Sequence, residues 1–314
     1  MTTRLANAIT SAASRQTAYT IRFLVDRSLV DQAFRAYAYF RWVDDTLDAE
    51  APHHAMWRET DRARCRQFLD RQQWLLEACL RGDSPRAVGP QEAMLVELCR
   101  HADRSDPGLE AYLRHMMRVM EFDVVRRGRL VSVAELDAYT RDLAIAVTEA
   151  MQTFIGHDAA TPRDETRYLA ASGAHILHML RDTDQDVRAG YYNVPRELLE
   201  SARIGPGDVH CDAYRAWVED RVGLARTDLD AGRAFFRAAE CRRFRLAGLA
   251  YIARFEWLID TLEREEFRLR PAYPDRDGIG RLARTTWEVL ASLIGPRRPE
   301  SRDRAVLARP GPRR

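Results

Sequence analysis

VDQAFRAYAYFRWVDDTLD, residues 30 to 48, sets the architecture of this chain. Ala33, Phe34, Tyr37, Phe40 and Leu47 recur at helical spacing and draw an apolar stripe. Asp44 and Asp48 continue the line of Tyr37 and Arg41 along the same helix. An i, i+4 pair shares one helix face, with Cβ atoms about 5–6 Å apart. Like charges that close repel unless a cation or a buried proton sits between them. Carboxylates that extend a core-facing stripe are costly unless they bind something. The arrangement returns later, where Ile176, Leu177, Met179 and Leu180 lead into Arg181-Asp182-Thr183-Asp184-Gln185-Asp186. A lone acidic pair is ordinarily solvated surface. Two such pairs, each ending an apolar run and each beside an arginine, suit hard divalent metals that hold a phosphorylated substrate. Asp45 stands beside the first pair and joins Asp44, Asp48, Asp182 and Asp186 as a candidate ligand.

Outward from these two segments the periodicity is helical, and no convincing run of strands breaks it. The patterns predict helices over Leu5–Val25, Val30–Asp48 and His54–Leu80, one after Pro90, and one from Gly108 to about Arg127. Ser132 followed by Glu135 reads as a capping box opening a helix to Ile155. Thr161-Pro162 reads as the start of a helix that stops at Gly190. Residues 190 to 206 are turn-rich, helices resume over Ala213–Ala238 and Arg243–Glu266, and a last one falls near Gly278–Ile294. Gly295 to Arg314, rich in Pro and Arg, reads as a disordered tail, so residues 1–294 form one all-α domain.

Composition excludes several classes of function. The 49 basic and 47 acidic residues nearly cancel, which gives no support to nucleic-acid binding. Every basic residue is arginine, so Schiff-base chemistry and a P-loop lysine are ruled out. Five scattered cysteines without a CxxC indicate neither a disulfide framework nor a zinc site. No apolar run approaches the ~18 residues of a membrane span, and Arg4, Arg15 and Arg22 interrupt the amino-terminal apolar residues where a signal peptide would need them continuous. These features predict a cytoplasmic protein. Peripheral membrane contact and oligomeric state are left open.

Tyr37-x-x-x-Arg41-x-x-Asp44-Asp45-x-x-Asp48 resembles the first aspartate-rich motif of the squalene/phytoene synthase family, and Leu180-Arg181-Asp182-x-x-x-Asp186 resembles the second. Met120-Glu121-Phe122-Asp123 is similar to a further family segment that places an aspartate near the diphosphate. The resemblance runs from about Ser14 to Phe267. It implies a single-domain, isoprenoid-synthase-like helical bundle with a central cavity for isoprenoid diphosphates. It also implies Mg²⁺, three ions, held by the aspartates. Four carboxylates and a diphosphate against three such ions leave about one negative charge for arginines to offset. Tyr37, Arg41 and Arg181 would then assist departure of diphosphate, and the carbocation left behind would need a dry, aromatic-lined pocket.

The departures from the family pattern fall around the second substrate. Arg15, Thr17 and Ala18 occupy the place of a Ser-x-Ser-Phe segment, and His175 and His178 replace a Gln and an Asn. Ile145 and Thr148 replace two glycines, and Tyr191, Tyr192 and Asn193 alter the Gly-Arg-x-Tyr-x-Pro segment after Gly190. A C-terminal helix tyrosine aligns with Phe255. Ile145 and Thr148 are expected to crowd a second prenyl chain, and His175 and His178 to serve a polar acceptor as acid/base groups or else to be hydrogen-bonded packing residues. Tyr191 and Tyr192 would stack on an aromatic acceptor or guard the cavity mouth. The expected reaction is ionisation of an allylic prenyl diphosphate followed by C–C bond formation to a non-isoprenoid, aromatic acceptor of secondary metabolism. Head-to-head condensation of two prenyl diphosphates is the alternative. A non-catalytic assembly factor of the same fold is a third reading, and it would be expected to erode the aspartates.

Overall fold

The apolar stripes become helices whose ends are fixed by local chemistry. The computed structural model describes residues 2–49, 58–101, 107–156, 161–162 and 164–273, among which there are eleven α-helices and no strand. In chain order these are α1 Thr2–Ala13, α2 Arg15–Leu24, α3 Val30–Ala49, α4 Glu59–Arg81, α5 Pro90–Arg100, α6 Pro107–Arg126, α7 Val133–Ile155, α8 Thr166–Ala189, α9 Arg196–Ala202, α10 Asp212–Ala238 and α11 Arg242–Arg264. The predicted capping box opens α7, with Ser132 Oγ accepting from Glu135 N and Glu135 Oε2 accepting from Ser132 N at 2.8 Å. Gly190 closes α8 at φ +85, a left-handed conformation that costs glycine nothing.

Three boundaries differ from the sequence reading. The helix expected over Leu5–Val25 is broken at Ser14, whose extended backbone and hydroxyl cap the Thr17 amide and start α2 afresh. α8 starts at Thr166 rather than Thr161, because the Asp164 carboxylate accepts from the Thr166 amide. The turn-rich segment holds the seven-residue α9 after Pro195. The helix expected near Gly278–Ile294 and the tail from Gly295 lie outside the described residues, as do His53, His54 and His157.

Close approach of α8 and α10 depends on absent side chains. A Cβ on Gly173 would meet the Ala225 carbonyl oxygen at 2.7 Å, and one on Gly232 would meet the Ala170 Cβ at 2.5 Å. Phe34, Tyr39, Leu75, Met94 and Leu113 are among the fully buried side chains on the α3–α6 side, with Leu177, Tyr214, Phe236 and Phe244 on the α8–α11 side. Between these two packed halves, α2, α3, α6, α7, α8 and α11 stand around a cavity. All five cysteines are free, and no helix among the described residues is long and apolar enough to cross a membrane.

Candidate active site

α3 delivers Tyr37, Arg41, Asp44 and Asp48 to one side of the cavity mouth. Arg41 reaches forward along its own helix, Nη1 to Asp44 Oδ2 at 3.2 Å and Nη2 to Asp45 Oδ1 at 2.5 Å. Asp45 takes that contact on the outer surface and lines neither pocket, so it does not join the proposed ligands. Burial and the neighbouring Asp48 carboxylate push Asp44 up to about 7, although Arg41 works against them.

The opposite side is built by the ends of α6 and α8. Gly128 N donates to Gly190 O at 2.7 Å, which docks the turn after α6 on the turn after α8. Docking buries Arg126 in a chain of contacts. Its Nε donates to Asp123 Oδ1 at 2.7 Å, and its Nη1 donates to Asn193 Oδ1 at 2.7 Å. Asn193 Nδ2 in turn donates to Asp186 Oδ2 at 2.6 Å, while Tyr139 Oη donates to Asp123 Oδ2 at 3.2 Å. The Arg126 guanidinium also lies over the rings of Tyr139 and Tyr191, 4.7 and 4.8 Å from their centroids. Burial still pushes Asp186 up to about 6, against the pull of Asn193 and Arg126.

Asp44, Asp48, Asp123 and Asp186 together line a pocket of about 120 Å³ with Arg126, Arg127 and Tyr191. Its metal-ligating atoms are all oxygens, and two of its carboxylates, Asp44 and Asp186, are driven toward their protonated forms by burial beside other carboxylates. That is the chemistry a hard divalent cation relieves. Among the described residues no three His, Cys, Asp or Glu side chains form a ready-made metal cage.

Asp182 is placed differently. It does not line this pocket: Arg181 grips both of its oxygens and His178 Nε2 lies 3.1 Å from Oδ2. Burial opposes ionisation, yet those hydrogen bonds hold Asp182 at about 2.

The acidic pocket shares Asp44, Met120 and Asp123 with an apolar cavity of about 550 Å³. Ligand cavities commonly span about 300–1,000 Å³. α7 gives it Tyr139, Leu143, Val147, Ala150, Met151 and Phe154. Ile145 and Thr148 are buried but lie off this wall, and Thr148 Oγ1 donates to Arg167 O at 3.4 Å. At about 100° per residue Ile145 turns away from the centre of the cavity face, and Thr148 falls at its edge beside Ile155. They therefore do not crowd the cavity, and that expectation is corrected. From α2 come Gln16, Thr17, Thr20, Ile21 and Leu24, whereas Ala18 is buried off the cavity wall and Arg15 is exposed. Tyr192 and Asn193 line neither pocket; Asn193 is a buried strut between Asp186 and Arg126.

His175 lines the cavity, edge-on to Tyr139 at a centroid distance of 4.9 Å. It is neither the hydrogen-bonded packing residue nor the poised acid considered above. Both ring nitrogens are buried without a partner, and burial, followed by the neighbouring His178 and the cations Arg126 and Arg221, keeps the ring neutral. The sequence reading missed three cations. Arg126 and Arg127 were hidden among 49 arginines, although the Asp123–Arg126 spacing of i, i+3 was a usable signal. Arg254 on α11 also lines the cavity. Burial lowers its pKa, and among the described residues no carboxylate pairs with it and its Nε has no hydrogen-bond partner.

A helical bundle around an apolar cavity, with carboxylates and guanidinium groups at its mouth, has the architecture of the α-helical isoprenoid synthases. The comparisons with known proteins agree. The squalene/phytoene synthase family profile matches residues 10–288, so the chain belongs to that family, whose members are prenyltransferases. It is 27% identical to a presqualene diphosphate synthase of Rhodopseudomonas palustris over 191 residues, a match that covers 60% of this chain and 62% of the relative's length. Two solved structures share the fold. A squalene synthase HpnC from Alicyclobacillus acidocaldarius aligns with a TM-score of 0.59 at 17% identity, covering 86% of this chain and 95% of that one. A dehydrosqualene synthase in complex with ligand aligns with a TM-score of 0.67 at 13% identity, covering 93% of this chain and 96% of that one.

Proposed function

We propose that this chain ionises one allylic prenyl diphosphate and joins it head to head to a second. The observation that carries this reading is the direct opening of the aspartate pocket into the large apolar cavity, through the shared residues Asp44, Met120 and Asp123. A prenyl diphosphate has the matching form, an anionic head on a long apolar tail. Arg254 supports a second anionic substrate, because a half-buried guanidinium without an acidic partner among the described residues is costly unless an anion arrives. The relatives' names, presqualene diphosphate, squalene and dehydrosqualene synthase, point the same way.

The aromatic acceptor expected from the sequence gives way to this reading. It rested on Ile145 and Thr148 crowding the cavity, and they lie off its wall. It rested also on Tyr191 and Tyr192, yet Tyr191 stacks under Arg126 and Arg127 in the acidic pocket.

Asp44, Asp48 and Asp186, with Asp182 once released from Arg181, would hold divalent cations of the Mg²⁺ type; bound there, they neutralise the charge that collects on departing diphosphate. The chain's own groups do the rest. Arg126 and Arg127 add positive charge at the leaving group, and Arg41 flanks it. As the allylic C–O bond breaks, its electron pair leaves with diphosphate. The resulting cation is attacked by the double bond of the second substrate, and the new cation so formed is discharged by loss of a proton, in a chamber whose walls are largely apolar. Tyr37, Phe40 and Tyr112 line the chamber, where aromatic rings would stabilise a positive carbon. The test is diphosphate release from geranyl, farnesyl and geranylgeranyl diphosphate with Mg²⁺, each supplied alone. Release without any other acceptor is the expected result. Release only when an aromatic acceptor is added, or none at all, would overturn the reading.

A further inference from the structure

α2 is a partition one helix thick. Thr17, Thr20, Ile21 and Leu24 on one side line the apolar cavity. The other side carries Arg15, Tyr19, Arg22 and Phe23, all exposed, at i, i+4, i+7 and i+8 on one helical stripe. Tyr19 is 56% and Phe23 74% exposed, and their rings stack on each other with centroids 6.2 Å apart. Trp74, Val88, Val125, Val133 and Leu224 are also exposed among the described residues, but none of them pairs with another aromatic ring in this way.

Charge singles out the same surface. Residues 1–25 contain Arg4, Arg15 and Arg22 and no aspartate or glutamate, in a chain that is otherwise almost evenly balanced. Arg22 donates to Asn7 Oδ1 at 2.9 Å and lies over Phe34 at 6.0 Å, so neither neighbour neutralises it. The first carboxylate, Asp26, accepts from Ser28 and Arg243 and is already matched. Exposed aromatics flanked by arginines on an acid-free helix are the signature of a helix that lies in a lipid interface. The rings enter the headgroup layer while the guanidinium groups meet anionic lipid.

We infer that α2 is a docking surface for an anionic lipid membrane, seated with Tyr19 and Phe23 in the interface and Arg15 and Arg22 at the headgroups. Docked so, the cavity lies one helix diameter, about 10 Å, from the lipid. The reason for such a surface rests on the reading that the cavity takes prenyl chains, whose hydrocarbon portions partition into bilayers. The surface itself does not depend on which bond the cavity forms.

The experiment is co-sedimentation of the full chain with phosphatidylcholine vesicles, with and without phosphatidylglycerol, in the absence of any prenyl substrate. The wild type is expected to bind the anionic vesicles, and more weakly at high salt. Tyr19→Ser with Phe23→Ser should weaken partitioning roughly tenfold or more, while Arg15→Gln with Arg22→Gln should remove the preference for anionic lipid. Circular dichroism checks that each variant folds, and diphosphate release from geranyl diphosphate in vesicle-free buffer should be unchanged by the aromatic pair. Equal binding of wild type and the aromatic variant, or no binding of the wild type to any vesicle, would overturn the proposal. So would a wild-type dimer, insensitive to lipid, that the aromatic substitutions dissociate; the face would then belong to a second copy. Because binding is read without turnover, an inactive protein that still binds vesicles would fail the proposed reaction and not this surface.

Discussion

The two aspartate helices look alike in sequence, yet Asp44 and Asp182, which lead their pairs, are held oppositely in the fold. On α3, Arg41 spends one arm on the outer Asp45, and Asp44, pressed against Asp48, is pushed up to about 7. On α8, Arg181 and His178 both close on Asp182 and hold it at about 2. The lesson is that an i, i+4 acidic spacing fixes which face carboxylates share, and not the charge they carry there. That charge is set by how deeply each carboxylate is buried and by how fully neighbouring donors close on it. Asp44 on α3 and Asp186 on α8 are therefore raised, whereas Asp182 must first be released by Arg181 and His178.

The largest expected effect erases the comparison. Asp44→Ala and Asp182→Ala should each reduce diphosphate release by on the order of 10³-fold despite their different resting states. Near-normal release from Asp182→Ala, in a steady-state assay with Mg²⁺, would mean that Arg181 never yields that carboxylate. The next effect isolates the second substrate. Arg254→Gln should raise KM for the prenyl diphosphate roughly tenfold, the loss of a charge-assisted contact, with kcat much less affected. A change confined to kcat would place Arg254 at the reacting carbons instead.

The pH dependence of stability sharpens the contrast. Carboxylates titrate near 4 in the unfolded chain. Asp44 and Asp186, at about 7 and about 6 in the fold, keep their protons longer than the unfolded state does, so stability falls as pH rises from about 4 through 7. Asp182 and Asp26, both about 2, contribute stability that is present above about 4 and lost as pH falls toward 2. Thermal melts in chelator should show Asp44→Asn gaining stability over wild type at pH 8 and little at pH 5. The same gain at both values would contradict the assigned cause. The smallest effect concerns His175, where His175→Leu removes two buried nitrogens without partners. The variant should melt a few degrees higher, since each unmet group costs about 1–3 kcal/mol. A lower melting temperature would mean that the ring is partnered in solution.

Helices, and the faces of the aspartates, were legible in the sequence because period and capping are local. Ser132 with Glu135 and Gly190 reported their own geometry. What could not be read was set by contacts distant along the chain. Arg126 becomes part of the site only because Gly128 meets Gly190 across 62 residues, and its one local mark, an i, i+3 aspartate, is shared by Arg64 with Asp61. Ile145 and Thr148 were placed by alignment to two glycines, without regard to the phase that turns Leu143, Val147 and Ala150 toward the cavity. Ser14 broke a helix because one hydroxyl competes for the Thr17 amide, a choice the apolar pattern around it conceals.

The central claim is that one acidic mouth and one apolar chamber serve two prenyl chains. It is tested most directly by stoichiometry, with farnesyl diphosphate supplied as equal parts unlabelled and deuterated. The account predicts products in three mass classes, of two unlabelled, one of each, and two deuterated chains, with at least one diphosphate released per product. Products carrying a single farnesyl unit, whatever else is attached, would contradict it.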